Sequence, residues 1–399
     1  MNNLTNKGRC FSFSLIVALL IATTVPTFAT HRTGDHPLPE LIVSGDFNDD
    51  GNLDLAVDVT GFDNIAIFNG DGQGNFTLKE HVETDTLPRG LAAADLDKDG
   101  RLDLVSIDTW GYSIRIILGD GLGGFVTANE LNGDGEPIRI KAGDLNNDGN
   151  LDLVANGPDE GVMLVYLGNG HGGFSNTPIE YEDLSNDYTL ALGDVNHDGN
   201  LDVAVAEIET SGSHVVIFLG DGTGHLTRTP ALSVNPGPGD VQLADVNHDG
   251  NLDIILGGAG PGNTTGLFLS TYLGDGTGKF ALDQVLTPGG GTEEGEMAIG
   301  DFNEDGNIDV AFPVAFNPSE ISTSVLIFFG DGTGGMASGP VLTVGEGPQS
   351  AFAADFNHDG HIDLAVSNRT DGTLSILLGD GSGNFTTHAV LPVADVPTP

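Results

Sequence analysis

The feature that most constrains this chain is a nine-residue pattern, D-x-[DN]-x-D-G-x-[LI]-D, which occurs seven times. The copies begin at Asp46, Asp95, Asp144, Asp194, Asp245, Asp301 and Asp355. Their spacings of 49, 49, 50, 51, 56 and 54 residues match the length of one four-stranded propeller blade. A second pattern, mostly L-G-D-G-x-G-x-F, keeps step with the first, and its leading glycines are Gly70, Gly119, Gly168, Gly220, Gly274, Gly330 and Gly379. Two patterns locked together in equal number define a repeating unit, and a unit this small buries its apolar faces only by stacking on its neighbours. The expectation is an all-β fold, a seven-bladed β-propeller with four-stranded antiparallel blades.

The first unit shows how four strands fit. Leu41 to Ser44 leads into the acidic loop and Leu53 to Val57 leaves it; Ile65 to Phe68 runs into the glycine-rich turn, and Phe76 to Val82 closes the sheet. Sixty glycines and 20 phenylalanines against a single tryptophan fit many tight turns joined by short apolar strands. No linker or low-complexity tract interrupts residues 37–393, which read as one domain, with a spacer at 30–36 and a tail at 394–399.

Residues 1–29 read as a secretory signal peptide. Lys7 and Arg9 precede an apolar run from Phe11 to Val25, and Thr27 and Ala29 supply the small residues of a cleavage site. The alternative, a membrane anchor, asks for about 20 apolar residues, more than this serine- and threonine-broken run provides. The one cysteine, Cys10, falls inside this segment, so the mature chain has no thiol for disulfides, metal or nucleophilic attack. The expected location is extracellular, or periplasmic in a Gram-negative cell.

In each acidic loop, carboxylates at positions 1, 5 and 9, with Asp or Asn at position 3, offer hard oxygen donors on alternate residues. Glycine at position 6 allows the bend that turns the position 7 carbonyl inward. Such a donor set suits Ca²⁺, which takes six to eight oxygens; Mg²⁺ keeps more water. EF-hand and dockerin loops put their last acid at position 12 ahead of a helix, whereas here it stands at position 9 ahead of a β-patterned run.

These units resemble the FG-GAP and VCBS repeats of integrin-α-like propellers over about Pro37 to Val393. The resemblance implies calcium ligands in all seven loops, about seven Ca²⁺ per chain. The first site would use Asp46, Asn48, Asp50, the carbonyl of Asn52, and Asp54; the second Asp95, Asp97, Asp99, the carbonyl of Arg101, and Asp103. The third would use Asp144, Asn146, Asp148, Asn150 and Asp152, and the fourth Asp194, Asn196, Asp198, Asn200 and Asp202. The fifth would use Asp245, Asn247, Asp249, Asn251 and Asp253, the sixth Asp301, Asn303, Asp305, Asn307 and Asp309, and the seventh Asp355, Asn357, Asp359, His361 and Asp363. Metal-free Asx turns are the alternative, and against it stands the mutual repulsion of three carboxylates within nine residues.

The formal charge of −45, from 58 acidic and 13 basic side chains, would repel phosphate backbones and anionic lipid. Nucleic acid and, once the signal is removed, membrane insertion are thus excluded as expected partners, and a monomer is expected.

Strand parity then sorts the connections. If the acidic loop joins strands one and two, the turn joining strands three and four returns to the same face, and the remaining connections lie opposite. Added length concentrates on that opposite face, at Ala206 to His214, Gly257 to Gly266 and Pro313 to Thr323 in three adjacent units. It reads either as a recognition patch on a rigid scaffold or as drift in exposed turns. Phe62, Trp110 and Tyr112 fall on the same face, as sugar-stacking platforms or as packing between blades.

No catalytic motif stands out. There is no H-E-x-x-H, G-x-S-x-G or phosphate-binding loop. His197, His248 and His358 occupy the non-ligand position 4 of acidic loops and read as solvent-facing, and Glu207 with Glu209 or Glu293 with Glu294 read as solvated loop charges. The expectation is a non-enzymatic binding or adhesion scaffold for a glycan or extracellular protein; the alternative is a polysaccharide-active lyase or hydrolase on the same scaffold.

Overall fold

The computed structural model describes residues 36–394, except 134–135, 158–160, 183, 185, 210–211, 236, 260–265, 290–294 and 315–321. The signal segment, most of the spacer, nearly all of the tail, and the pair Glu293 and Glu294 lie outside the described residues. Seven antiparallel sheets cover residues 39–83, 88–132, 139–181, 186–234, 238–286, 298–343 and 348–392, here blades 1 to 7. In blade 1 the strands Pro39–Gly45, Asp54–Val59, Asn64–Gly70 and Phe76–Glu83 pair in sequence order. The other blades repeat that order, and the fold is the seven-bladed, four-stranded propeller that the repeat implies. Blade 4 breaks its fourth strand, into Leu226–Arg228 and Leu232–Val234. Pro230, which lacks the N–H an edge pairing uses, lies between the two pieces.

The second strand of blade 1 is buried at every position, as are those of blades 2, 3, 5, 6 and 7. A sheet covered on both faces by neighbouring blades has no wet side, which explains the continuous apolar runs. The core is accordingly divided into seven clusters, one at each seam between blades. At the closing seam Ile42, Val57 and Phe68 of blade 1 pack with Phe356, Leu374 and Ile376 of blade 7. Each blade is contiguous in sequence, so no strand is shared between the ends of the chain. Closure rests on packing, on the Gly74 N–H donating to the Phe356 carbonyl at 3.2 Å, and on Arg369 donating to Glu40 at 3.2 Å.

Two readings need correction here. In blade 4 the added length is paired strand rather than loop: Glu207, Ile208 and Glu209 pair with His214, Ser213 and Gly212. Glu207, read as a solvated charge, is buried and bound by the Arg228 guanidinium at 3.3 Å to both carboxylate oxygens. The added segments 260–265 and 315–321 lie outside the described residues.

Candidate metal centre

The acidic loop of each blade bridges its first and second strands, and the glycine-rich turn bridges its third and fourth. Both therefore occupy one face. Position 6 has a φ of +82° to +91° in every copy, a conformation that costs glycine alone nothing. Position 4, also left-handed, has a φ of +55° to +62° at Asp49, Lys98, Asn147, His197, His248, Glu304 and His358.

In the first loop Asp46 accepts the N–H of Asp50 on one oxygen, at 3.1 Å, and that of Gly51 on the other, at 2.8 Å. Asn48 accepts the Asp50 N–H and Asp50 the Asn52 N–H, each at 2.9 Å. The same ladder recurs in blades 3 to 7. It fixes the side chains of positions 1, 3 and 5 against the backbone of their own loop without a helix.

Position 9 is different in kind. Asp54, Asp103, Asp152, Asp202, Asp253, Asp309 and Asp363 are fully buried. One oxygen of each accepts the position 2 N–H, and the other accepts the N–H of the first glycine in the turn, at 2.7–3.0 Å throughout. That glycine must approach closely: a Cβ on Gly70 would lie 2.1 Å from the Leu53 carbonyl oxygen, and the other six copies are equally tight. Position 9 is thus a strut welding loop to turn. Burial pushes Asp54, Asp152, Asp202, Asp309 and Asp363 up to about 6, against the lowering effect of the two N–H donors, and the carboxylates at positions 5 and 1 push further.

The second loop, with Asp97 at position 3, keeps three bonds of the ladder and lacks the one from the Asp99 N–H to Asp95. Carboxylate oxygens of Asp95, Asp97 and Asp99 come within 4.8 Å of one another, and Oδ1 of Asp95 is buried with no hydrogen-bond partner. Asp103 stays outside that triad, held as a strut. The Arg101 guanidinium pairs with Asp99, bringing a positive charge to the carboxylate cluster. An all-oxygen donor set with an orphaned carboxylate oxygen fits a hard divalent cation. In the other loops, Asn at position 3 contributes a neutral oxygen and the acids number three.

A ring of side-chain contacts joins these loops, and the sequence reading missed it. His358 of blade 7 meets Asn52 of blade 1 at 3.2 Å, His197 meets Asn251 at 2.9 Å, and His248 meets Asn307 at 2.9 Å. Asn147 donates to Asn200 at 2.7 Å, and Glu304 meets His361 at 2.5 Å. In each case position 4 of one blade reaches position 7 of the next. The three histidines are exposed, as expected, but they bridge blades. The signal was present in the repeat: the two acidic residues at position 4, Asp49 and Glu304, stand immediately before the two blades with a basic residue at position 7, Arg101 and His361.

On the opposite face Phe62, Trp110 and Tyr112 are 38%, 51% and 47% exposed. Phe62 lies in the turn between the second and third strands of blade 1. Trp110 lies in the short 3₁₀ turn Thr109–Gly111 of blade 2, with Tyr112 capping it and bonding Glu136. These aromatics do not pack away between blades.

The family described as FG-GAP-like repeat matches residues 46–106, 95–155, 144–205 and 194–256, together spanning 46–256. A protein from Bacteroides uniformis described as a putative 6-phosphogluconolactonase has a similar fold, with a TM-score of 0.66 at 11% identity over 89% of this chain and 98% of its own. A protein from Lactobacillus plantarum gives a TM-score of 0.63 at 14% identity over 89% and 96%. At these identities the likeness concerns the fold alone. Among curated proteins none matches the sequence. Among the described residues no helix is long and apolar enough to cross a membrane.

Proposed function

This chain belongs to the FG-GAP-like repeat family, and from that premise we propose that it is a secreted, calcium-stabilised scaffold that binds a glycan or extracellular protein. Ca²⁺ is held by positions 1, 3, 5 and 7 of the seven loops on one face, with position 9 closing each loop. The ligand is met on the face opposite. The observation that carries the calcium reading is the second loop, where three carboxylates crowd within 4.8 Å around an oxygen of Asp95 that nothing in the protein satisfies. A bound divalent cation would neutralise that crowding and relieve the upward push on the buried position 9 carboxyls. Recognition by the opposite face is supported by the exposed Phe62, Trp110 and Tyr112, which offer flat apolar faces, with a polar tip on Trp110 and on Tyr112.

Elemental analysis of the dialysed mature protein tests the calcium reading, with close to seven Ca²⁺ per chain expected. Two or fewer would overturn the shared-site reading. A glycan array with and without chelator tests recognition and separates binder from enzyme, because a binder retains its glycan saturably and an enzyme depletes it.

A further inference from the structure

The inner strands of six blades enclose a cavity of about 240 Å³ on the propeller axis. Three residues before the first aspartate of each loop, the inner strands carry Val43, Ala92, Lys141, Ala191, Gln242, Ala298 and Phe352. Five of the seven are apolar. Lys141 and Gln242 break the repeat, and both line the cavity. Lys141 is one of 13 basic side chains in a chain of charge −45, and with its side chain 42% exposed it is open to a ligand at the cavity.

Glu296 faces Lys141 at 3.6 Å. Its backbone is fastened in a way particular to blade 6: its N–H donates to the Gln349 carbonyl at 2.9 Å, its carbonyl accepts the Ala351 N–H at 3.0 Å, and Glu296 and Ser350 form an isolated parallel bridge. Asp240, 2% exposed, fixes the neighbouring wall. It accepts from Gln242 at 3.0 Å, from Thr189 at 3.1 Å and from the Met297 N–H at 2.8 Å. The cavity thus has one rigid polar wall of Lys141, Gln242 and Glu296, and one apolar wall that includes Leu91 and Phe352.

We propose that this axial cavity is a binding site for a single neutral, hexose-sized polyol. Hydroxyl groups both donate and accept, and the polar wall offers an ammonium and an amide beside a carboxylate. A pyranose also has a C–H face, which suits Phe352 and its apolar neighbours. Charge argues against an anion, since Asp240 and Glu296 together outweigh Lys141. Size argues against an oligosaccharide, because the volume falls below the ~300–1,000 Å³ of sites for drug-sized ligands. The site is distinct from the exposed aromatics of the opposite face, and its occupancy does not depend on recognition there.

Calorimetric titration of the calcium-loaded mature protein with glucose, galactose and mannose tests the proposal, alongside glucuronate and leucine. At least one hexose should bind saturably in the tens of millimolar or tighter. Lys141→Met should weaken it by roughly tenfold or more, the scale of a lost hydrogen bond to a charged group. Ala353→Leu, which adds volume at the cavity wall and removes no polar group, should do the same, with circular dichroism confirming that the variant is folded at the temperature of the titration. Absence of hexose binding in the unaltered protein overturns the site, and so does binding that survives both substitutions. Preference for glucuronate or leucine overturns the polyol assignment. Loss of glycan-array retention with hexose binding intact would count against the opposite-face reading alone.

Discussion

The two faces of this propeller obey different rules. On the loop face seven copies share left-handed positions 4 and 6, and each position 9 strut holds the same two N–H groups at 2.7–3.0 Å. On the opposite face no two neighbouring connections need agree: blade 2 makes a 3₁₀ turn bearing Trp110, blade 4 extends a hairpin, and blade 1 turns through Phe62. The uniform face is under a constraint that every blade must meet, because each loop is welded to its own turn, and five of the seven are hydrogen-bonded to the next. The variable face is released from that constraint, and a scaffold can vary there without altering how the blades stack.

Removing calcium should break the comparison most severely, since it acts on every copy of the uniform face. On the proposed calcium reading, at millimolar Ca²⁺ and the modest affinities of extracellular modules, each site would contribute about 1 kcal/mol and seven would contribute several. The melting temperature should fall by about 10 °C in chelator, as read by circular dichroism. A curve indifferent to chelator would remove metal from the account of stability.

Within one loop, positions 5 and 9 should separate. Asp253→Ala strands two buried N–H donors and should cost about 2–5 kcal/mol, with or without calcium. Asp249→Ala, at position 5 of the same loop, should cost about 1 kcal/mol with calcium and almost nothing in chelator. Equal chelator dependence of the two variants would make position 9 primarily a ligand and not a strut.

The opposite face should yield a smaller, calcium-independent effect. Arg228→Met removes the guanidinium that binds both oxygens of the buried Glu207 carboxylate. The guanidinium is partly exposed, so the loss should be about 2 kcal/mol, below that of a fully buried pair. A loss that appears only with calcium would show that the two faces are coupled.

The smallest effect concerns the seams. Asp49→Arg sets a like charge beside Arg101 and should cost under about 1 kcal/mol, given its exposure. Adding Arg101→Asp should restore most of the loss in low salt. A double variant no better than the single would deny the position 4 to position 7 pairing any part in ordering the blades.

Much of this was legible because the repeat is short and its chemistry local. The blade count, the strand order and the shared face of loop and turn follow from the spacing of Asp46, Gly70, Asp95 and their later copies, for strand parity needs no knowledge of distant contacts. The extended hairpin of blade 4 was not legible, because added residues read alike whether they pair or loop. Nor was the burial of Asn368, whose N-R-T sequence suggests a glycosylation site. In the fold its side chain bonds Thr373 and Ser375 inside the sheet.

The sequence by itself determined the fold, the seven acidic loops and the glycines that let each loop turn, since all depend on residues within nine positions of one another or on a regular period. Tertiary structure alone decided which carboxylates are struts and which remain available. It decided that Glu207 is buried against Arg228, that His358 closes the ring onto Asn52 across 306 residues, and that Lys141, Gln242 and Glu296 meet on the axis. Those outcomes depend on which blades come to lie side by side, and only closing the ring brings together side chains so far apart along the chain.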